Sequence, residues 1–329
     1  MRILITGATG FVGQHLVRLL VSRKHDVFGT YLSPPGQWTL DAELLSCDVR
    51  DAHSVRRIVH RTRPHGIYHL AGLSSPAQSL EQTREVYETN FWGTYNLLEA
   101  ARQLVPKARI LIVGSGQCYG SVGNGKALTE SVAFAPPNPY ALSKAAADML
   151  AGQYYLRFGL NVVRARPFNH TGPGQQPGFV CSDYARRIAA IEVRNERALL
   201  RVRDTSARRD FTDVRDVVRA YELLVEKGKA GEAYNVASGR SISVKEIISI
   251  LASFCSRPVR ISDKRRRLDR DNASNLYGSS LKLMRATGWK PRYNMSQTLR
   301  DLFDYWKLLS NKGDSKQSDR NCTACAVGA

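Results

Sequence analysis

Three glycines, Gly7, Gly10 and Gly13, follow directly on the apolar run at residues 2–6 and lead into the periodic apolar positions Val12, Leu16, Leu19 and Leu20. That is a buried strand turning straight into a helix. Gly7 permits the tight turn, Gly10 lets backbone approach a pyrophosphate, and Gly13 lets the helix, opened by Phe11 and Val12, lie close to the strand. The free N–H groups and the positive end of that helix then face the phosphates of a dinucleotide.

Further strand patterns at 25–30, 66–71, 109–113 and 161–165 alternate with helical patterns at 51–61, 87–103 and 139–155. Such alternation predicts an α/β fold with a doubly wound parallel sheet of the Rossmann type. Residues 1–168 read as the dinucleotide-binding domain. After Asn169 the alternation weakens and a Gly/Pro-rich loop, HTGPGQQPG, fills 170–178. The spans 169–209 and 241–310 are expected to form a smaller C-terminal α/β substrate-binding lobe, with 210–240 returning to the first domain. The polar stretch 311–329 reads as a disordered tail.

The formal charge of +19 would attract any polyanion, whether nucleic acid, acidic lipid or a diphosphate. No aromatic-rich recognition motif accompanies the arginine runs at 201–209 and 257–270, which argues against nucleic acid. No stretch approaches the roughly 18–20 apolar residues of a membrane span, and the six cysteines lack the regular spacing of a disulfide framework. A cytoplasmic protein without membrane insertion is expected. Cys322 and Cys325 form a CxxC with no second ligand pair, so no metal is expected.

Tyr140 and Lys144 stand four residues apart, one turn along a helix face. An ordinary phenol, with a pKa of about 10, holds its proton too tightly for exchange at neutral pH, and a neighbouring ammonium favours the phenolate. Ser115, just after the strand at 109–113, offers a hydroxyl to a carbonyl or alkoxide. The second strand ends Thr30-Tyr31-Leu32-Ser33, without the usual carboxylate for the adenosine ribose, which admits NADP as well as NAD. Asp48, with Val49, is a candidate for the adenine edge, helix capping being the alternative for Asp48.

Ser115, Tyr119-Gly120, Tyr140 and Lys144 behind an N-terminal glycine turn resemble the extended short-chain dehydrogenase/reductase family, and the resemblance runs from residue 1 to about 305. It implies Ser115, Tyr140 and Lys144 as the catalytic set, and cofactor contacts at Leu70-Ala71-Gly72, Asn90 and Pro167 beside the glycine turn. Within the family, the stretches 166–175 (RPFNHTGPGQ), 209–214 (RDFTDV) and 287–291 (TGWKP) look like those of the GDP-6-deoxy-4-keto-mannose reductases. That likeness implies reduction of the C4 ketone of a GDP-linked 6-deoxy-4-keto-hexose, with Ser115, Gln117, Asn169, Phe179, Val180, Arg209 and Arg270 (or Arg267) around the substrate. Helices near 81–104 and 139–156 resemble the pair that makes a homodimer interface in this family.

A nucleotide-sugar 4-epimerase would use the same three residues. A 4,6-dehydratase is disfavoured, because related dehydratases carry a glutamate two residues before the Tyr-Gly pair, where this chain has Gln117, and an amide cannot exchange that proton. The non-enzymatic alternative, a cofactor-binding partner of nucleic acid, would not need the intact Ser/Tyr/Lys set.

Overall fold

The computed structural model describes residues 1–35, 39–120, 125–194, 198–202, 205–263 and 275–311. Runs such as Ile3-Leu4-Ile5 and Ile110-Leu111-Ile112 are apolar at every position, and they form strands covered on both faces. Among the described residues twelve strands follow the chain: β1 (Arg2–Thr6), β2 (Asp26–Tyr31), β3 (Glu43–Ser46), β4 (Gly66–His69), β5 (Arg109–Val113), β6 (Val162–Pro167), β7 (Asn169–Thr171), β8 (Leu199–Val202), β9 (Arg208–Asp213), β10 (Ala233–Val236), β11 (Ser241–Ser243) and β12 (Arg260–Asp263). Seven form the central sheet in the order β10-β6-β5-β4-β1-β2-β3, every neighbouring pair parallel. This is the doubly wound sheet that the alternation predicts, and connections reverse direction between β1 and β4.

One face of the sheet is covered by the helices Phe11–Ser22 and Val214–Lys227, through Leu16, Val17, Val217 and Leu224. The other face carries Ala52–Thr62, Gly93–Leu104 and Pro139–Phe158. A separate core gathers the helices Val180–Arg194, Val244–Ala252 and Met295–Asn311 around Ile188, Ile247, Phe303 and β8. A small sheet, β11-β9-β7, lies between the two bodies.

The pattern at 87–103 departs from a single helix. A π-helical turn at Glu88–Trp92 interrupts it between Thr83–Tyr87 and Gly93–Leu104. The extra residue turns Asn90 inward, where its amide nitrogen donates to the Leu73 carbonyl (3.1 Å) and to Ser143 Oγ (2.9 Å), and its oxygen accepts from the Leu73 N–H (2.9 Å). The stretch beyond Asn311, including the expected tail and the Cys322/Cys325 pair, lies outside the described residues, as do Arg267 and Arg270.

Gly13 shows how closely the first helix meets the turn before it: a Cβ there would overlap the carbonyl oxygens of Gly7 and Ala8. Overpacking of that kind costs about 1–3 kcal/mol. Gly13→Ala is therefore expected to lower the Tm of the cofactor-free protein by several degrees in calorimetry, and an unchanged Tm would contradict the close approach.

Candidate active site

The glycine turn is held from behind. Gly7 sits at φ +70°, in the left-handed region, and a Cβ there would fall 2.8 Å from the Ala71 nitrogen. Its N–H donates to Thr30 Oγ1 (3.3 Å), and the Ala8 N–H donates to the Thr30 carbonyl (2.9 Å). From the turn a cavity of about 480 Å³ runs along the carboxyl edge of the sheet, past Leu70, Gly72 and Ser115, to the loop before the helix Val180–Arg194.

Tyr140 and Lys144 enter this cavity from the helix Pro139–Phe158, whose N-terminus is capped by Asn138. Ser115 arrives at the end of β5, lines the same cavity and accepts from the Gln117 N–H (3.2 Å). Lys144 Nζ donates to the Val113 carbonyl (2.9 Å), which ties it to the same strand end. Burial pushes the Tyr140 phenol up to about 12, and Ser115 opposes that rise. Burial also brings the Lys144 ammonium down to about 8. The sequence argument needed Lys144 to lower the phenol pKa. In the structure Ser115 does that, while desolvation works against both members of the pair.

A buried ion pair anchors the surroundings. Asp148, one turn beyond Lys144, takes Arg166 in a two-point contact (Nε–Oδ2 2.9 Å, Nη2–Oδ1 2.8 Å) and also accepts from Arg164 (2.9 Å). Arg166 donates in turn to the Tyr119 hydroxyl (2.9 Å) and lies over the Phe134 ring at 4.5 Å. The helix Pro139–Phe158, β6 and the turn after Ser115 thus share one set of contacts.

The profile of the family described as GDP-mannose 4,6 dehydratase matches residues 4–302. The chain belongs to that family. GDP-6-deoxy-D-mannose reductase of Pseudomonas aeruginosa is 34% identical over 93% of this chain and 97% of its own length. GDP-6-deoxy-D-talose 4-dehydrogenase of Aggregatibacter actinomycetemcomitans is 29% identical over 88% of this chain and 92% of the relative. Among solved structures, RMD from Pseudomonas aeruginosa complexed with NADPH superposes with a TM-score of 0.81 at 32% identity, over 94% of this chain and 100% of the other. UDP-glucose 4-epimerase of Thermus thermophilus in complex with NAD gives 0.83 at 29% identity, over 93% and 99%.

In this GDP-mannose 4,6 dehydratase family member the cavity brings together Gly7, Gly10, Phe11, Val12 and Gly13 with Leu70, Gly72 and Pro167. Ser115, Gln117, Asn169, Phe179 and Val180 line it as well. Thr30, Ala71 and Asn90 stand behind the lining and brace it. Asp48 and Val49 are not among the lining residues. The Asp48 carboxylate is occupied by Arg50 (Nη2–Oδ2 2.7 Å), which holds its pKa below the ordinary carboxylate range. The cap of the next helix is Asp51, which accepts from the N–H groups of His53 and Ser54, so the capping alternative for Asp48 is corrected. Arg209 lies outside the lining, and its Nη1 donates to the Arg208 carbonyl (2.8 Å).

Several lining residues were not predicted as site residues, His170 and Tyr221 among them. His170 stacks on Phe11 (6.3 Å between centroids, 9° between planes), joining the loop at 170–178 to the glycine turn, and its place inside the quoted 166–175 stretch was the available signal. Tyr221 reaches the cavity from the helix Val214–Lys227, where sequence shows only a core position.

The depressed Lys144 pKa has a consequence for stability. Between about 8 and the ordinary 10.5 the unfolded chain binds this proton more tightly than the folded protein does. Stability therefore rises with pH across that window, and below it the fold bears the full cost of the buried charge. Lys144→Met lacks the group. The gap in urea-unfolding free energy between variant and wild type should narrow by about 2 kcal/mol from about pH 7.5 to 9.5, and a gap independent of pH would contradict a buried ammonium.

Proposed function

We propose that this protein reduces the C4 ketone of a nucleotide-linked 6-deoxy-4-keto-hexose, converting GDP-6-deoxy-4-keto-mannose to GDP-rhamnose at the expense of NADPH or NADH. The observation that carries this reading is that Ser115, Tyr140 and Lys144 line one cavity that begins at a glycine turn. The turn fits a dinucleotide: Gly7 and Gly13 have no room for a Cβ, and the helix N-terminus that follows carries no acidic residue to repel phosphate. Tyr31-Leu32-Ser33 at the end of β2 bring no carboxylate against a 2′-phosphate, which agrees with the NADPH of the Pseudomonas neighbour.

The bound nicotinamide supplies the hydride. Ser115 holds the ketone oxygen and Tyr140 donates its proton to that oxygen as negative charge develops on it. Lys144 holds the nicotinamide ribose and offsets the charge left on the phenol. Asn169, Phe179 and Val180 line the far part of the cavity and suit the nucleotide-sugar, with Arg209 and a late arginine for its diphosphate. Residues 169–209 and 241–310 act as the substrate lobe against a cofactor domain of 1–168 and 210–240.

Gln117 lines the cavity where a dehydratase needs a carboxylic acid, which favours reduction over water elimination. The protein pairs with a second copy through the helices Gly93–Leu104 and Pro139–Phe158. Leu142, Met149 and Leu156 recur every seventh residue on the latter, with 46%, 62% and 73% of their surface exposed, and Trp92 is 52% exposed just before the former.

Incubation with GDP-, dTDP-, UDP- and CDP-linked 4-keto-6-deoxy sugars and each reduced cofactor should show consumption with the GDP sugar above all. Tightly copurifying NAD⁺ with no net consumption on any of them would mark an epimerase instead. Tyr140→Phe is expected to lower the single-turnover rate roughly 10²–10⁴-fold, and a rate equal to wild type would remove Tyr140 from its role. Met149→Asp should shift the protein from dimer to monomer in light scattering, whereas a wild type already monomeric would refute the interface.

A further inference from the structure

Tyr221 packs into the core beneath the sheet with Leu16, Leu111, Val163 and Ala165, beside Val217 and Leu224 of its own helix. The residue is fully buried and is among those that line the cavity, and its hydroxyl has no hydrogen-bond partner. Among the described residues that line the cavity it is the one with such an atom. A buried hydroxyl left unsatisfied is a net cost to the fold that phenylalanine would avoid. The oxygen is therefore not explained by packing. Burial first, and the nearby Tyr140 second, raise the phenol pKa, so the group stays a neutral O–H able both to donate and to accept.

The cavity narrows the choice of partner. A dinucleotide at the glycine turn would have its pyrophosphate met by backbone N–H groups, its nicotinamide ribose by Tyr140 and Lys144, and the ketone beside it by Ser115 and Tyr140. At the reactive end this leaves the nicotinamide carboxamide. The helix of Tyr221 packs on β5 and β6, whose final residues in the cavity, Val113 and Pro167, offer no side-chain hydrogen bond.

We infer that the Tyr221 hydroxyl hydrogen-bonds the nicotinamide carboxamide and so fixes the rotation of the ring, a contact that no motif in the sequence reports. It rests on the cofactor reading above and not on the identity of the sugar.

Tyr221→Phe keeps the packing and removes only the oxygen. Three measurements together test the contact: the Tm of the cofactor-free protein, the Kd for NADPH by fluorescence, and the Kd for NADP⁺ against its analogue whose pyridine ring carries no carboxamide. The variant is expected to melt at the same temperature or about 2 °C higher, because an unsatisfied group has gone. It should bind NADPH and NADP⁺ about five- to tenfold more weakly, while the analogue binds variant and wild type alike. Unchanged NADPH affinity, or an equal loss with the analogue, would overturn the inference, the second result pointing to packing. A wild-type protein that binds none of these dinucleotides would defeat the cofactor reading itself, and the inference with it.

Discussion

In a parallel sheet every strand points the same way, so all strand-to-helix turns gather on one edge, and where the winding direction reverses the turns separate into a crevice. Here the reversal lies between β1 and β4. Gly7 to Gly13 leave one side of it, Leu70 to Gly72 the other, and Ser115 follows one strand further on. The chemistry has no other edge on which to assemble. The crevice is stiffened by the buried Asp148–Arg166 pair, which joins the helix of Tyr140 and Lys144 to β6 and, through Tyr119, to the turn that bears Ser115. A displacement of about 1 Å at such a site can cost two orders of magnitude in rate, which gives that pair a physical purpose beyond stability.

The same enclosure that holds Tyr140 and Lys144 in the cavity shifts their proton affinities against the ionised forms. Burial lifts the phenol and depresses the ammonium, and Ser115 opposes the rise of the phenol. His69, sealed between Thr6 (2.8 Å) and Thr94 (3.2 Å) below the site, is held down to about 3 by burial and then by Lys144, so it stays neutral and adds no competing charge. The neutral histidine below adds no second cation beside Lys144.

Much of this was legible in sequence because each feature rests on local chemistry. A strand, three glycines and a helix specify the turn at 7–13, and a phenol four residues before an amine specifies one helix face. Strand β10 was recoverable because Ala233–Val236 is apolar at three of its four positions and buried throughout. The π-turn at Glu88–Trp92 was not, since its cause is tertiary: Asn90 must reach both Leu73 and Ser143. Asp48 misled because Asp51, three residues on, has equal capping chemistry, and only the fold decides which carboxylate meets free N–H groups. Tyr221 belongs to no motif, and its ring packs in the core, so nothing in the sequence marks it.

The central claim is that Ser115, Tyr140 and Lys144 serve a hydride transfer to a sugar carbon. Reduced cofactor carrying deuterium at the transferable position of the nicotinamide C4, incubated with GDP-6-deoxy-4-keto-mannose and this protein, tests it most directly by NMR of the product. The account predicts one deuterium bound to sugar C4 of GDP-rhamnose. A sugar left unlabelled while the cofactor keeps its deuterium would contradict it.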